Sequence, residues 1–404
     1  MAFRVALATN FISPYRVALY TALAETSGWE LKVFCSCTTE FDRQWRPCRD
    51  TAFNQTTSIS ISYNRRIKHR QGVRFTDRRQ VHIPLGLWWD LLLFHPDAVI
   101  SDEMGARSVI AAAYTLFRRT PLVIWFYGTP HTEREANWKQ RLLRKLLIRA
   151  ADSFVGMGTE VRRYLESFGV PPPAIFNAPN AIDIPRAGIE RAAVNRTLVR
   201  QRFGVSGLCF LNVGRLNELK GVDALLQAWE IFCADEEVDA TLLIVGDGPA
   251  KKQLQGHRAC DRLNNIVFVG HLEPDNIADM FCAADVFVFP TRQDVWGLVV
   301  NEALTFGLPV ICSKYAGCAQ DLIAEEINGW TVDPGDLDNF VRALKKAWNG
   351  RNRMPDMATA ARASISNLTV QNMAEGFRNA VKYAGSGPAE GILNSSHHQG
   401  YQDS

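Results

Sequence analysis

Short apolar segments alternate with amphipathic ones along most of the chain, a pattern typical of parallel strands joined by helices. In the first half the pattern predicts strands near residues 3–8, 31–35, 98–101, 122–126, 153–156 and 174–176. In the second half it predicts strands near residues 208–213, 241–245, 266–269, 286–289 and 309–312. Since 404 residues exceed one ordinary domain, we expect an α/β protein with two or more domains, of which the first is doubly wound.

The boundary between the two domains is predicted near residue 184. The following stretch, residues 185–206, is rich in Arg and Ala and is expected to be a linker with a helix leading into the second domain. The N-terminal domain then covers residues 1–184, and the C-terminal domain covers residues 185–365. The last residues, 385–404, are rich in Gly, Ser, His and Gln, so we expect a disordered tail.

The segment from Ala284 to Gly307 carries the most informative candidate chemistry. A buried strand is stopped by Pro290, and the loop after it contains Asp294. Gly297 then opens a helical pattern that carries a second acid, Glu302. The two acids flank the free N–H groups of a helix start, an arrangement that suits a hydroxyl-rich, phosphorylated ligand.

Two cations follow the strand predicted at residues 208–213. Arg215 and Lys220 lie between that strand and a helix that begins near Val222. In this position they would neutralise a diphosphate and the charge that it carries as a leaving group. The alternative is that both are solvated residues of a surface loop. Likewise, Asp294 alone is also interpretable as a loop or N-cap acid, and Glu302 as a helix acid that the macrodipole stabilises.

These elements together resemble the signature of glycosyltransferase family 4. The family has two glutamates separated by seven residues; here Asp294 and Glu302 keep that spacing, and the first side chain is one methylene shorter. The segments Val213–Leu216 with Lys220-Gly221, Val245–Pro249 and Val267–Gly270 stand in the family's order. The resemblance implies a retaining GT-B enzyme with two Rossmann-like domains facing a cleft. It also implies a C-terminal helix, at about 366–384, that packs back on the first domain.

The same resemblance implies roles for individual residues. Asp294, Arg215 and Lys220 would be catalytic, with the two cations binding the diphosphate of a UDP- or GDP-sugar. The remaining donor-binding residues would be Glu302 on the ribose, the backbone of Gly214, Gly297, Leu298 and Val299, and Val269 and Gly270 near the base. The family generally works without a metal or other cofactor. The one Asp-x-Asp sequence, at Asp336 and Asp338, is interpreted as a helix start.

The first domain departs from the family pattern at two loops. Many members carry a Gly-Gly loop after the first strand, whereas this chain has residues 10–16 without glycine. Ser13 and Arg16 would face an anion there, or the loop simply packs with Arg16 at the surface. Where the family often has His-Gly, this chain has Tyr127-Gly128, and His131 would supply an imidazole from nearby or serve a structural role. Ser13, Arg16, Tyr127 and Gly128 are the expected acceptor residues, and His131 is a fourth catalytic candidate.

Charge is unevenly distributed between the halves. The net charge of +3 combines an excess of Lys and Arg in the first half with an excess of acids in the second. Seven cations occupy the loop predicted at residues 64–80, Trp88 and Trp89 follow it, and an amphipathic helix is predicted at residues 136–150. This combination indicates a site on an anionic membrane surface. The alternatives are a solvated basic face with the apolar stripe buried in the domain's own core, or nucleic-acid binding, which no motif supports.

Composition adds a prediction of location. No apolar run approaches the ~20 residues that span a bilayer, and the residues after Met1 run directly into a strand pattern without a separate signal peptide. Nine cysteines without a regular spacing are typical of a reducing compartment. We therefore expect a cytoplasmic protein that is peripheral on the inner face of the membrane.

The sequence thus predicts a retaining glycosyltransferase that moves a sugar from a nucleotide-sugar to a saccharide or lipid-linked saccharide, in polysaccharide or glycolipid biosynthesis. A nucleotide-sugar epimerase or a phosphorylase on the same fold is an alternative, although no context for a pyridoxal-phosphate lysine is present. A non-catalytic binding subunit that kept the fold is a third possibility, because the first acid is substituted and the Gly-Gly loop is missing.

Overall fold

The computed structural model describes residues 2–39, 48, 51–69, 75–182, 195–234 and 237–395. These residues form two compact units. The first contains nearly all described residues up to 182 together with those from Leu368 onward, and the second contains residues 195–367. Each unit is built on its own parallel sheet.

The described strands of the first unit are β1 Phe3–Thr9, β2 Trp29–Cys35, β3 Asn54–Thr57, β4 Ile61–His69, β5 Phe75–Ile83, β6 Ala98–Asp102, β7 Leu122–Phe126, β8 Ser153–Gly156 and β9 Ile175–Asn177. Seven of them form one parallel sheet in the order β3-β2-β1-β6-β7-β8-β9, and β4 and β5 form a separate pair. The chain moves outward from β1 in one direction and then from β6 in the other. The carboxyl ends of β1 and β6 are therefore the topological switch point of this sheet.

The described helices of the first unit are α1 Pro14–Ala24, α2 Leu87–Phe94, α3 Ala106–Arg118, α4 Trp138–Ala150, α5 Thr159–Ser167 and the C-terminal helix Val370–Ser395. Side chains alternate between the two faces of a strand, which assigns the helices to opposite faces of the sheet. Trp125 faces the C-terminal helix, where its ring lies 4.8 Å from that of Phe377. The next residue, Phe126, points the other way and stacks on Tyr164 of α5.

The described strands of the second unit are β10 Leu208–Val213, β11 Ala240–Val245, β12 Ile266–Gly270, β13 Val286–Phe289, β14 Val310–Ser313 and β15 Gly329–Val332. Its described helices are α6 Arg196–Arg202, α7 Val222–Phe232, α8 Lys251–Gln255, α9 Arg258–Arg262, α10 Pro274–Ala283, α11 Leu298–Thr305, α12 Ala319–Leu322, α13 Leu337–Asn349 and α14 Met354–Ile365. The parallel sheet has the order β12-β11-β10-β13-β14-β15. Its switch point lies between β10 and β13.

The core of the second unit explains why its strands are almost entirely apolar. Phe210, Leu242 and Val288 are fully buried beneath α7 and α13, in a cluster centred on Trp229 and Phe340. A strand that is covered on both faces requires a continuous apolar run, and β10, β11 and β13 have such runs. The sheet is thus a rigid base for the loops at its carboxyl edge.

Two sequence expectations differ from the structure. The sequence predicts a loop for the basic segment 64–80, but its described residues belong to the β4–β5 strand pair; residues 70–74 lie outside the described part. Ile61 and Tyr63 in β4 and Val81 and Ile83 in β5 supply the period-2 alternation that favours this pairing. The sequence also predicts a disordered tail from residue 385, whereas the described C-terminal helix continues to Ser395. Residues 396–404 lie outside the described part.

Candidate functional site

The loops after β10 and β13 touch at the switch point of the second unit. The backbone N–H of Arg292 donates to the carbonyl of Leu219 over 2.7 Å, and the Thr291 hydroxyl donates to the same carbonyl over 3.1 Å. Gly221 has a φ of +67°, and a Cβ at this position would lie 2.0 Å from the carbonyl oxygen of Pro290. Glycine is therefore required for the two loops to approach so closely.

This contact brings two of the predicted site residues together. Lys220 Nζ lies 2.6 Å from Asp294 Oδ2, and the side chains retain exposed fractions of 28% and 16%. Lys220 ends a short 3₁₀ turn whose cap is Asn217, since the Asn217 side chain accepts from the Lys220 backbone N–H over 3.1 Å. The pair is thus fixed by local turn geometry and remains open on one side.

Asp294 is held firmly by its own loop. Its Oδ1 accepts from the backbone N–H of Trp296 over 3.2 Å. Its backbone forms a bridge with the segment after β14, where Asp294 N–H donates to Tyr315 and the Asp294 carbonyl accepts from Gly317. Trp296 is buried, and its Nε1 donates to Asn301 Oδ1 over 2.9 Å. The carboxylate therefore has a fixed position despite lying in a loop.

A second ion pair supports the turn beneath Lys220. Arg292 forms a two-point contact with Asp223, with distances of 2.6 and 2.7 Å, and its Nη1 also donates to the carbonyl of Glu218. This clamp joins the loop after β13 to the turn after β10. Sequence reasoning missed it, because Arg292 and Asp223 lie 69 residues apart and belong to no recognisable motif.

The glycines after β10 and β11 have different structural requirements. A Cβ on Gly246 would lie 1.9 Å from the carbonyl oxygen of Gly214, and one on Gly248 would lie 2.3 Å from that of Leu216. Gly214 itself faces open space, because a Cβ on it would meet no atom within 4 Å beyond its chain neighbours. Arg215 is exposed in the same loop. The space beside Gly214 is therefore open, next to the exposed Arg215.

The first turn of α11 lies directly after the Asp294 loop. Gly297 precedes it with a φ of +104°, packed so closely on Phe289 that a Cβ would lie 2.7 Å from the ring. The helix begins at Leu298, followed by Val299, and the N–H groups of a first turn have few intrahelical partners. These residues lie where the sequence placed them, at the start of the helix beside the acid.

Glu302 carries the clearest electrostatic anomaly in the second unit. Desolvation raises the pKa of its carboxyl group to about 7. No described residue donates a hydrogen bond to this carboxyl group or forms an ion pair with it. A desolvated acid without such a partner is expensive to keep unless a ligand supplies the hydrogen bonds.

Val269 and Gly270 end β12 at the same edge of the sheet. The Gly270 carbonyl accepts from Gly246 N–H over 2.8 Å, which links this strand end to the loop after β11. Gly270 has a φ of +89°, and the space that a Cβ would occupy on it is open. Both residues are half-buried, so the strand end offers an accessible backbone surface.

In the first unit, Arg16 lies at the switch point between β1 and β6 and turns inward. Its Nη1 lies 2.9 Å from Asp102 Oδ2, and the guanidinium stacks 4.2 Å above the ring of Trp125. Burial alone would lower the pKa of Arg16, but Asp102 and the neighbouring tyrosines, Tyr127 first among them, together outweigh that effect and raise the pKa. The alternative of Arg16 as a surface residue is therefore wrong, because β6 supplies a buried acid that draws the side chain in.

Asp102 is the centre of this network. Thr9 Oγ1 donates to its Oδ2 over 2.7 Å, and Arg107 lies 4.0 Å away. Burial would raise the pKa of Asp102, but Arg16 and Arg107 hold it below its usual value. The next residue, Glu103, has a φ of +64°, and burial followed by the charge of Asp102 raises the pKa of its carboxyl group. Sequence reasoning missed both acids, although Asp102 ends a buried strand and Glu103 follows it directly, a position that the sequence shows.

The other residues predicted in the first unit occupy the loops beside this network. The Ser13 hydroxyl is buried without a hydrogen-bond partner and does not cap α1. Burial, and then the charges of Asp102 and Glu103, raise the pKa of Tyr127.

Gly128 packs against Phe126 and Glu133, where a Cβ would clash. His131 lies half-buried in the following turn, and its carbonyl accepts from Arg134 over 2.9 Å.

The described part of the chain contains no group of three or more His, Cys, Asp or Glu that would hold a metal ion. Asp336 serves as the N-cap of α13, where its carboxylate accepts from Asn339 N–H over 2.9 Å. The interpretation of this Asp-x-Asp sequence as a helix start is confirmed.

No helix among the described residues is long and apolar enough to cross a membrane.

Two family profiles together cover most of the chain. Residues 15–186 match Glycosyltransferase Family 4, and residues 200–364 match Glycosyl transferases group 1. Among curated proteins, the sulfoquinovosyl transferase of Arabidopsis thaliana is 32% identical over 38% of this chain and 29% of its own length. The mannosylfructose-phosphate synthase of Agrobacterium fabrum is 28% identical over 53% of this chain and 49% of its own length. The chain thus spans about half or less of the length of these relatives.

Solved structures match over nearly the whole chain. HepE from Anabaena in complex with UDP has a TM-score of 0.68 at 16% identity, covering 95% of this chain and 100% of that one. Sucrose-phosphate synthase from Thermosynechococcus elongatus has a TM-score of 0.66 at 16% identity, covering 94% and 98%. At such identities the likeness shows the fold, which in both units is the Rossmann-like arrangement of GT-B enzymes. The chain belongs to the group 1 glycosyltransferases of the family 4 type.

Proposed function

We propose that the protein is a retaining glycosyltransferase whose nucleotide-sugar donor binds at the carboxyl edge of the sheet in the second unit. The observation that carries this proposal is the Lys220–Asp294 contact at the switch point, directly before the first turn of α11. Open α/β sheets bind ligands at this location. In this proposal residues 185–365 form the donor-binding domain. The acceptor-binding domain comprises residues 1–184 with the helix predicted at about 366–384.

The donor diphosphate is assigned to the loop after β10. Lys220 and Arg215 supply positive charge, and the open surface above Gly214 leaves room for phosphate oxygens to approach the backbone. The N–H groups of Gly297, Leu298 and Val299 face an electron-rich oxygen of the same ligand. UDP and UDP-glucose are named with HepE from Anabaena, and we propose a UDP- or GDP-sugar for this chain.

The nucleoside is assigned to Glu302 and the end of β12. Ribose hydroxyls would donate to the Glu302 carboxylate, which lacks a hydrogen-bond donor among the described residues and is poorly solvated. The base would lie against the accessible backbone of Val269 and Gly270. This assignment explains why the fold tolerates an acid whose desolvation is otherwise unfavourable.

Retention of configuration is proposed to follow from attack on the face that the phosphate leaves. The bond from the anomeric carbon to the phosphate oxygen breaks, a bond to the acceptor oxygen forms, and the acceptor proton moves to the departing phosphate. Lys220 and Arg215 stabilise the negative charge that develops on that phosphate. Asp294 orients the transferred sugar through its hydroxyls, and His131 is retained as a candidate near the acceptor. The reaction is proposed to need no metal ion.

The acceptor is proposed to be a saccharide or a lipid-linked saccharide, bound by the first unit near Ser13, Tyr127 and Gly128 in polysaccharide or glycolipid biosynthesis. The protein would then work on the cytoplasmic side of the membrane as a peripheral enzyme. The excess of Lys and Arg in the first half supports this location, because anionic lipids and diphosphate-linked acceptors both attract cations.

The test is to incubate the purified protein with a panel of UDP- and GDP-sugars and to measure nucleotide release with and without a lipid extract. We expect one donor to release nucleotide, faster with the extract, and the rate to be unchanged in excess chelator. A sugar that is interconverted without nucleotide release would indicate an epimerase. Absence of turnover with every donor, despite nucleotide binding, would indicate a non-catalytic subunit.

A further inference from the structure

Three neighbouring helices of the first unit present apolar side chains to solvent. In α2, Trp89 and Leu93 lie one turn apart and are 66% and 80% exposed. In α4, Trp138, Leu142 and Leu146 repeat at one-turn intervals and are 69%, 49% and 54% exposed. Helices at the surface of a domain ordinarily turn polar side chains outward. A single exposed leucine needs no explanation, but stripes on adjacent helices do.

The apolar side chains belong to one surface. α3 packs against α2 on one side and against α4 on the other. It contributes Leu116 and Phe117, which are 68% and 67% exposed. The ring of Trp88, at the start of α2, lies 6.0 Å from that of Phe117, which joins the α2 and α3 parts. We call this surface, formed by the outward sides of α2, α3 and α4, the α2–α4 face.

On two helices of the α2–α4 face, α3 and α4, every charged side chain is positive. Neither α3 nor α4, each of 13 residues, contains Asp or Glu. The cations exposed on these two helices or next to them are Arg118, Arg119, Lys139, Arg141, Lys145 and Arg149. Arg144 does not belong to this set, because it is buried and paired with Glu133. The one acid of α2, Asp90, accepts from the Ser58 hydroxyl over 2.6 Å.

We propose that the α2–α4 face docks on an anionic membrane surface. Trp and Leu at outward positions enter the boundary between headgroups and acyl chains, and the neighbouring Lys and Arg remain at the level of the anionic headgroups. A second copy of this chain is a poorer occupant, because a symmetric contact would oppose the cations of α3 and α4 on one copy to those on the other. The inference rests on the proposed function in one respect only: the purpose of docking would be to bring the enzyme to a lipid-linked acceptor.

The experiment is flotation of the full chain with vesicles of phosphatidylcholine alone or mixed with phosphatidylglycerol. Two variant pairs test the two parts of the face: Leu142→Ser with Leu146→Ser, and Lys139→Glu with Lys145→Glu. The matched controls are Leu198→Ser, at a position 65% exposed in the second unit, and Lys252→Glu, at an exposed position on α8. Circular dichroism and thermal unfolding establish that each variant is folded. Lys139 and Lys145 are exposed, so replacing them leaves the core intact.

We expect the native chain to float with the mixed vesicles and to remain behind with phosphatidylcholine alone. Each variant pair should lower the partition coefficient by on the order of tenfold or more, and both controls should leave it unchanged. Equal flotation with both vesicle types, or unchanged flotation of both folded variant pairs, would overturn the proposal. So would a dimer, measured by light scattering, that the leucine pair disrupts. Nucleotide release from a donor sugar without vesicles tests the transferase proposal separately.

Discussion

Lys220 and Asp294 lie 74 residues apart in the sequence, yet Lys220 Nζ is 2.6 Å from Asp294 Oδ2. The two follow different strands whose carboxyl ends meet at the switch point of the second sheet. A lysine that is held beside an acid before a ligand arrives is already oriented, and an arriving diphosphate competes for it. The contact therefore accounts for the position of Lys220, and a bound diphosphate has to share or replace it.

Removing the Lys220 side chain should abolish most of the turnover without unfolding the protein. Loss of a group that stabilises the leaving-group charge costs about 10²- to 10³-fold in kcat. The matched control is Lys346→Ala, because Lys346 lies 2.6 Å from Glu326 in an exposed ion pair of the same unit. Nucleotide release should fall for Lys220→Ala and stay near normal for Lys346→Ala. Similar rates for the two variants would argue against a catalytic role of Lys220.

Two alanine substitutions at glycines should separate folding from donor binding. Gly246→Ala places a Cβ 1.9 Å from a carbonyl oxygen at a φ of +137°, so it should lower the free energy of unfolding by more than about 1 kcal/mol. Gly214→Ala meets open space, so its melting temperature should match that of the native chain. If the diphosphate occupies that space, Gly214→Ala should still raise KM for the donor. An unchanged KM would place the diphosphate elsewhere.

Donor affinity should depend on pH through Glu302. Because desolvation raises the pKa of this carboxyl group to about 7, a substantial fraction is protonated at neutral pH. Ribose hydroxyls donate better to the carboxylate, so binding of a nucleotide-sugar should tighten as pH rises through about 7. A sugar diphosphate does not itself titrate in this range. Calorimetric titration across this range should show the trend in the native chain and a flat profile for Glu302→Gln. A trend that persists in the variant would exclude Glu302 as its source.

Glu302 should also affect stability, in the opposite direction. An acid whose pKa is raised on folding favours the folded state less as pH rises from its unfolded pKa, about 4.3, toward about 7. Thermal unfolding of the native chain should therefore show a loss of stability over that interval that Glu302→Gln lacks. Equal pH profiles for the two proteins would indicate that the group is well solvated.

We expect the Arg16–Asp102 pair to be required for the stability of the first unit. Asp102→Asn would leave a buried guanidinium with reduced compensation and should destabilise the protein by about 3–5 kcal/mol, measured by urea unfolding. Arg16 and Arg107 hold the pKa of Asp102 below its usual value, so this stabilisation is present above pH about 4 and is lost as pH falls below it. Arg4→Met, at a more exposed ion pair with Glu30, serves as control and should cost no more than about 1 kcal/mol. A comparable cost for both variants would contradict the assignment.

The sequence predicted those features of the site that depend on strand order. The limits predicted for β10 and β13, residues 208–213 and 286–289, agree with the structure, because buried parallel strands are predominantly apolar. Once those strands are placed side by side, the loops with Lys220 and Asp294 must lie at one edge. Their convergence therefore follows from the topology.

Other features depend on side-chain contacts that no local pattern records. The Arg292–Asp223 clamp and the Arg16–Asp102 pair each join segments at least 69 residues apart, and neither partner stands in a motif. The φ of +64° at Glu103 is a consequence of the turn after β6, and the residue type does not favour it. The sequence predicts a loop in place of the β4–β5 pair, because the cations of this segment are given more weight than the alternation of Ile61 and Tyr63.

The most direct test of the central claim is a crystal structure with the nucleotide-sugar that the donor panel identifies. We predict that its diphosphate lies within hydrogen-bonding distance of Lys220 Nζ, beside Gly214 and the first turn of α11, with a ribose hydroxyl on Glu302. Electron density for the diphosphate at any other place, with the Lys220–Asp294 contact unaltered, would contradict the account.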